Sequence, residues 1–308
     1  MHHTVDRTQS CTRWNRDLPN VLTVDPGDTV TLAMKDSSDG QVHPGMTAAE
    51  FMGIDRGRIH ALTGPVGVRG AEPGDALEVE ILGFRHEGWA WTSVTPGMGA
   101  LGDEFHDPHL HIWKLEGGVT RSIPGVTLDL SPFCGIMGVQ RAERGEFRTR
   151  PPGAFGGNMD VRHLGAGARL WLPVSIPDAG LCAGDAHAAQ GDGEVSINGM
   201  EAPMTVDLRI HLRKASAPAG PYAVVPPALV PPRYSTKPFH VFIESHEDPR
   251  EAARAVVRRA VGYLVGRLGL SRELALILCS VCLDLKVSQM VNAPIVTLSG
   301  YLPEAIFD

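Results

Sequence analysis

Val21-Leu22-Thr23-Val24-Asp25-Pro26-Gly27-Asp28-Thr29-Val30-Thr31-Leu32-Ala33-Met34 decides the reading of the fold. A short β-branched and apolar run enters a Pro-Gly-Asp turn, and the six residues after it alternate in side-chain character. That period of two belongs to a strand with one buried face. The unit recurs at Ala71-Glu72-Pro73-Gly74-Asp75, followed by Ala76 to Leu82. There Leu77, Val79 and Ile81 face one way and Glu78 and Glu80 the other. The recurrence reflects one turn chemistry used twice and does not by itself define a repeat.

Further strands are expected at Arg169–Val174 and at Thr205–Leu212, the latter alternating cleanly. Glycine (35 residues) and proline (24) together make up about a fifth of the 308 residues, while aromatics are 6%. Such a composition suits short strands joined by tight turns. Residues 1–214 therefore read as a β-rich body. Residues 215–233, with Pro226-Pro227 and Pro231-Pro232, read as a proline-rich linker. Residues 234–308 change character. Asp248-Pro249 opens a helix that runs to about Leu268 and stops at Gly269; Ser271 caps a second, ending near Leu283 or Leu285. Ala293–Leu298 reads as a last strand, making this an α+β portion packed on the body.

The bulk numbers exclude several function classes. Hydrophobic residues at 43% supply a core, and 20% charged residues argue against wholesale disorder. A net charge of −7, a pI near 6.0 and the lack of a basic run disfavour a nucleic-acid partner. The first residues lack a basic-then-apolar leader, and the most apolar stretch, Leu274–Leu283, is too short to span a bilayer. Five cysteines, an odd number in a long chain, read as reduced thiols. The expectation is a soluble, cytoplasmic protein with no membrane partner.

Chemistry concentrates in Gly184-Asp185-Ala186-His187-Ala188-Ala189-Gln190-Gly191-Asp192-Gly193-Glu194. In an extended strand Asp185 and His187 share a side, and a carboxylate with an imidazole suits zinc or a similar divalent ion. Gly191 and Gly193 would let Asp192 and Glu194 turn back to the same point. The bland alternative is a polar turn with solvated carboxylates. Gly156-Gly157-Asn158-Met159-Asp160 is a second candidate: its glycines admit a ligand close to the backbone, Asn158 offers a donor and Asp160 a carboxylate. His60, before Thr63-Gly64-Pro65, is either a ligand or a satisfied surface residue, and His106, His109 and His111 stand under the same pair of readings. Cys134 is either a nucleophile or buried packing; Cys279 and Cys282, inside an apolar helix, read as core.

Taken together, these blocks resemble the acetamidase/formamidase family. The resemblance rests on Thr63–Val68 with Gly70–Val79, then Pro132–Val139, Gly153–Asp160, Leu172–Val174 and Gly184–Val195, and finally Gly269–Glu273 and Asp284–Gln289. It spans roughly residues 14 to 302. It implies a mainly β fold, a jelly-roll-like β-sandwich body with the α+β portion at its C-terminal end, working as a homo-oligomer, a dimer or tetramer. It implies hydrolysis of formamide, acetamide or similar short amides with a divalent metal, zinc or calcium. The family accepts other residues at the position of Cys134, which counts against an obligatory thiol.

The expected site follows. Asp160, Asp185 and His187 hold the ion, with Asp192 an alternative to Asp160. Asn158 stabilises the oxyanion, Glu194 carries the proton from water to the leaving nitrogen, and His60 and Gly157 contact the substrate. Two other readings compete: a metal-free amidase built on Cys134, and a β-sandwich that binds a small ligand or metal without turning it over.

Overall fold

The alternation at Thr29–Met34 becomes a strand in which Val30, Leu32 and Met34 are fully buried and the residues between them half-buried. The computed structural model describes residues 1–229, 237–289, 294 and 296–308. Strand Thr29–Met34 belongs to a six-stranded sheet running, from edge to edge, His2–Val5, Thr29–Met34, Met204–Arg213, Ala76–His86, Arg169–Pro173 and Tyr222–Val224. Thus part of the proline-rich stretch adds an edge strand to the body, while Pro231 and Pro232 lie outside the described residues.

A second sheet of six carries the chemistry. Its order is Gly156–Asn158, Phe133–Gly138, Leu181–His187, Leu62–Val68 and Ser10–Cys11, with Leu22–Val24 parallel to Leu62–Val68. Every residue of Leu62–Val68, Phe133–Gly138 and Leu181–His187 is buried. Covered on both faces, these strands show continuous apolar and small residues where an alternating pattern would mark a wetted sheet. The two sheets and both long helices share one apolar cluster, and each fully buried Leu, Ile or Val in it contributes roughly 1.5–3 kcal/mol.

The described residues form mainly β structure in several sheets, with three α-helices. α1 (Ala48–Met52) is closed by a capping box between Thr47 and Glu50, and it sets Phe51 against Trp91 with ring centres 5.4 Å apart. α2 (Pro249–Leu268) begins at Asp248, whose carboxylate accepts from the Arg250 N–H at 2.8 Å, and ends where Gly269 turns left-handed at φ 66°. α3 (Arg272–Cys282) is capped by Ser271 and buried from Ala275 onward. Both helix starts fall where the sequence places them. α3 stops at Cys282, however, and Asp284–Gln289 is a strand, paired with Val296–Pro303. On its other side Val296–Pro303 pairs with Phe239–His246, a strand that overlaps the acidic residues leading into α2. Ala293 and Ile295 lie outside the described residues.

The two Pro-Gly-Asp turns prove alike in detail. In each, the glycine sits at φ 96° and the aspartate carboxylate accepts the N–H three residues back, Asp25 for Asp28 and Glu72 for Asp75. Asp75 also accepts from Lys214 Nζ at 2.6 Å and from the Ala215 N–H at 2.8 Å, tying the turn to the end of strand Met204–Arg213. The Lys214 ammonium, against the opposing effect of desolvation, holds the Asp75 carboxyl at about 2, below its ordinary 3.8. A depressed carboxyl adds stability that is present above its unfolded pKa and lost as the pH falls towards the folded one. Asp75→Asn should therefore lower Tm at pH 7, with the gap to wild type closing between about pH 4 and pH 2 in thermal scans. A gap that stays constant over that range would remove Asp75 from the acid stability of the fold.

Candidate active site

Gly135 is where the site is assembled. The flanking register, Cys134 opposite Ala186 and Ile136 opposite Gly184, places Gly135 facing Asp185 across the strand pair. Its carbonyl accepts the N–H groups of Met159 (3.0 Å) and Asp160 (3.2 Å) from the other side. A β-carbon there would lie 2.7 Å from Asp160 Oδ1 and 2.8 Å from Asp185 Oδ2. Only glycine lets the two carboxylates close in. Asp160, Asp185 and Glu194 all hold left-handed backbone, at φ 51°, 54° and 45°. Such conformations cost of order 1–3 kcal/mol in non-glycine residues and gather at functional sites. Asp185 takes this conformation inside the strand Leu181–His187.

His187 is fully buried at the centre. Its Nε2 lies 2.9 Å from Glu201 Oε1, 3.7 Å from Asp185 Oδ1 and 4.0 Å from Glu194 Oε1. His60 approaches Asp185 from the other side, Nε2 to Oδ1 3.9 Å; Thr149 Oγ1 accepts the His60 N–H at 2.8 Å and lies 3.2 Å from Nδ1. The cavity above has a volume of about 100 Å³. Its lining includes His60, Asn158, Asp160, Asp185, Glu194 and Glu201, with Phe51, Trp91, Ile59, Met98 and Ile197 as apolar wall.

The structure thus gathers five of the seven residues picked from the sequence around one cavity, with His187 immediately beneath. Gly157 does not line it; it pairs with Met137 in the neighbouring strand. Asp192 is directed elsewhere: it accepts from Arg162 Nε at 2.9 Å, while Arg162 reaches Asp284 at 2.7 Å. That bridge fastens the loop carrying Glu194 to the C-terminal sheet. His109 and His111 occupy the strand His109–Lys114, where His111 meets the edge of Trp113 at 4.4 Å, away from the cavity. The residue missed is Glu201. Its signal was a single carboxylate in the apolar run Met200–Met204, and it is 2% exposed, bridged to both Trp91 and His187.

Four carboxylates around two imidazoles in a buried place perturb one another. Burial, reinforced by the Asp185 charge, pushes the Asp160 carboxyl up to about 7. Burial also pushes Glu201 up to about 7, against the pull of His187. Glu194 is raised well above the carboxylate range by burial and Asp160. For Asp185 burial acts the same way, but His60, His187 and Glu201 outweigh it and hold this carboxyl low. Burial pulls the His187 imidazole down, but Glu201 and Asp185 outweigh it and raise it well above its ordinary value. His60 moves down, chiefly through burial.

Several buried polar atoms here have no hydrogen-bond partner among the described residues: both ring nitrogens of His187, Asp160 Oδ1, Glu201 Oε2 and Asn158 Oδ1. The 2.9 Å approach of His187 to Glu201 has ion-pair distance without hydrogen-bond direction. Buried polar atoms are seldom left orphaned. Two groups have donor atoms mutually within 4.8 Å, Asp160 with Asp185 and His187, and His187 with Glu194 and Glu201. Either set is chemically suited to a divalent cation.

The chain matches the family model described as the acetamidase/formamidase family over residues 2–144 and 139–308. A formamidase of Methylophilus methylotrophus is 27% identical over 96% of this chain and 89% of its own length. An acetamidase of Mycolicibacterium smegmatis is 28% identical over 82% and 78%. Among solved structures, a γ-lactamase from Delftia acidovorans superposes with a TM-score of 0.90 at 27% identity, covering 98% of this chain and 90% of that one. An acetamidase from Bacillus halodurans gives 0.70 at 30% identity, covering 97% and 96%.

Cys134 lies beneath this cluster, fully enclosed, with its thiol 3.8 Å from Met34 Sδ. Burial and the neighbouring Asp185 charge push it up to about 12, so at neutral pH it is a thiol and a poor nucleophile. Native protein treated with iodoacetamide at pH 7.5 should leave Cys134 unmodified by mass spectrometry, with the half-buried Cys11 alkylated first. Rapid labelling of Cys134 that tracks loss of activity would restore the thiol mechanism.

Proposed function

The chain belongs to the acetamidase/formamidase family, and from that premise we propose that it hydrolyses short amides to carboxylate and ammonia with a bound divalent ion. The observation that carries the reading is the cluster of unpartnered carboxylate and imidazole atoms at the floor of a cavity only about 100 Å³ in volume. Asp160, Asp185 and His187 would hold the ion, with Glu201 beside His187 as a fourth donor or as its orienting partner. Zinc fits the mixed carboxylate and imidazole set, and calcium would call for more oxygen donors. When bound, the ion supplies Lewis-acid polarisation and lowers the pKa of water from about 16 to about 7.

The chain's own groups do the rest. Asn158 reaches the cavity from the strand beside Phe133–Gly138 and offers its side-chain amide to the developing oxyanion. Glu194 takes a proton as water adds and returns it to nitrogen, so that ammonia and not amide ion departs. A carboxyl whose surroundings already raise its pKa is suited to carrying that proton. His60, braced by Thr149, borders the acyl end of the substrate.

The same reading takes the two six-stranded sheets as layers of a β-sandwich body, residues 1–214. They share one apolar cluster, and Thr63 Oγ1 donates to the Ala33 carbonyl between them at 2.8 Å. Residues 215–233 lead to the α+β portion, 234–308. Five free cysteines suit a cytoplasmic protein, and the homo-oligomer is carried over from the family resemblance alone. Among the described residues no helix is long and apolar enough to cross a membrane.

A second reading has its own observation. The TM-score of 0.90 to the γ-lactamase and the apolar wall of Phe51, Trp91, Ile59, Met98 and Ile197 favour a cyclic amide. Formamide, acetamide and 2-pyrrolidinone assayed side by side decide between them, by ammonia release for the first two and by ring-opened amino acid for the third.

On wild type, metal analysis should find a bound divalent ion. Asp185→Ala should lose both the ion and activity while staying folded. Glu194→Gln should keep the ion and lower kcat roughly 10²–10⁴-fold. Loss of the ion in Glu194→Gln would make Glu194 a ligand. Full activity in Asp185→Ala would overturn the site.

A further inference from the structure

Outside the acidic floor the cavity opens into a second of about 330 Å³, lined by Arg13, Arg56, Arg148 and Arg150 together with Gly57, Ile59 and Met98. Arg56, Ile59, Met98 and Arg150 line both spaces, so the two are continuous. This concentration of positive charge stands out in a chain of net charge −7. Fifteen arginines among the described residues lie within 4.0 Å of a carboxylate. Seven do not, namely Arg13, Arg16, Arg56, Arg121, Arg148, Arg150 and Arg250, and four of the seven meet in this one vestibule.

What the four do touch leaves their charge available. Arg13 donates to the Thr12 and Gly57 carbonyls, both at 2.7 Å. Arg56 lies over the Phe51 ring at 5.5 Å, with its NH2 3.7 Å from Met52 Sδ. Arg148 pairs with Arg13 through the backbone, and the side chains of Arg148 and Arg150 have no hydrogen bond or ion pair among the described residues. Arg56 and Arg150 face each other closely enough that burial and the second guanidinium lower the pKa of the first. Like charges brought together without a counter-charge raise the free energy of the empty protein, and an anion placed between them relieves it. Arg56 and Arg150 also border the acidic floor, but Arg13 and Arg148 line only the outer space, where no carboxylate is among the lining residues.

We propose that the preferred substrate is an amide that also carries a carboxylate, bound with its amide on the acidic floor and its carboxylate among Arg13, Arg56, Arg148 and Arg150. Guanidinium groups grip carboxylates through paired N–H donors, and four at a cavity mouth also steer an anion inward past a negative surface. Formamide and acetamide would leave this charge unused. The inference rests on the amide-hydrolase reading for the reaction but not for the anion site.

The test compares succinamate with butyramide, alike in length but differing in terminal charge, on metal-loaded wild type and on the double variant Arg13→Gln/Arg148→Gln. Wild type should favour succinamate, mainly through KM. The double variant should cut that preference about tenfold, equivalent to about 1.4 kcal/mol. Added salt should shrink the wild-type preference. Equal use of the two amides by wild type, or a preference unmoved in the variant, overturns the proposal. If neither amide is hydrolysed, calorimetric titration of wild type and the double variant with succinamate and butyramide separates the two claims. Succinamate binding that exceeds butyramide binding and is lost in the variant keeps the anion site and sinks hydrolysis of these amides, while equal binding, or binding of neither, overturns the anion site.

Discussion

A buried imidazole with four carboxylates close around it is the constraint that the rest of the site obeys. Two unit charges 4 Å apart interact by about 4 kcal/mol at an effective dielectric near 20. Asp160, Asp185, Glu194 and Glu201 therefore cannot all ionise beside His187 unless a cation or shared protons compensate them. Their division of labour follows: Asp185, flanked by both imidazoles, keeps its charge, while Asp160, Glu194 and Glu201 are pushed towards the protonated form. A divalent cation and a retained proton are two answers to one electrostatic problem, and an amide hydrolase has use for both.

Holding such a cluster together takes backbone that most sequences cannot adopt. Three of the four carboxylates sit on residues in left-handed conformation or directly against a glycine, and Gly135 gives Asp160 and Asp185 their shared space. The strain is absorbed by surroundings that are over-determined. Strand Leu181–His187 is buried along its whole length between two partners. Arg162, itself nearly enclosed, ties Asp192 to Asp284 and so couples the Glu194 loop to the C-terminal sheet. At Gly191 the loop passes so near Leu283 that a β-carbon would lie 2.2 Å from its carbonyl oxygen. The C-terminal portion thus helps to position the chemistry, though none of its described residues lines the cavity.

What could be read from the sequence follows the physics of each signal. Strand Thr29–Met34 shows because one face is covered more than the other. Helix α2 shows because Asp248, Pro249 and Gly269 are local stereochemical instructions. Leu62–Val68 and Phe133–Gly138 were not read as strands, because a strand buried on both faces loses its alternation. Phe239–His246 was hidden by the cap that follows it: the acidic residues belong to the strand's end as much as to the helix's start. In the site, Asp185, His187 and Glu194 announce themselves by clustering with glycines. Glu201 does not, since its partners His187 and Trp91 come from distant segments and its own neighbours are apolar.

The vestibule arginines were invisible for the same reason carried further. Position 13, position 56 and the pair 148 and 150 lie in three separate segments, and no local pattern joins them. Only the fold shows that a floor rich in carboxylates and a mouth rich in guanidinium groups share one opening. That polarity is costly for a protein whose substrate is neutral. A carboxylate-bearing amide reverses the balance, because its charged end gains at the mouth, and the floor, where an anion would be repelled, receives the neutral amide. The arrangement fixes which end of the molecule arrives first and discriminates before any bond is broken.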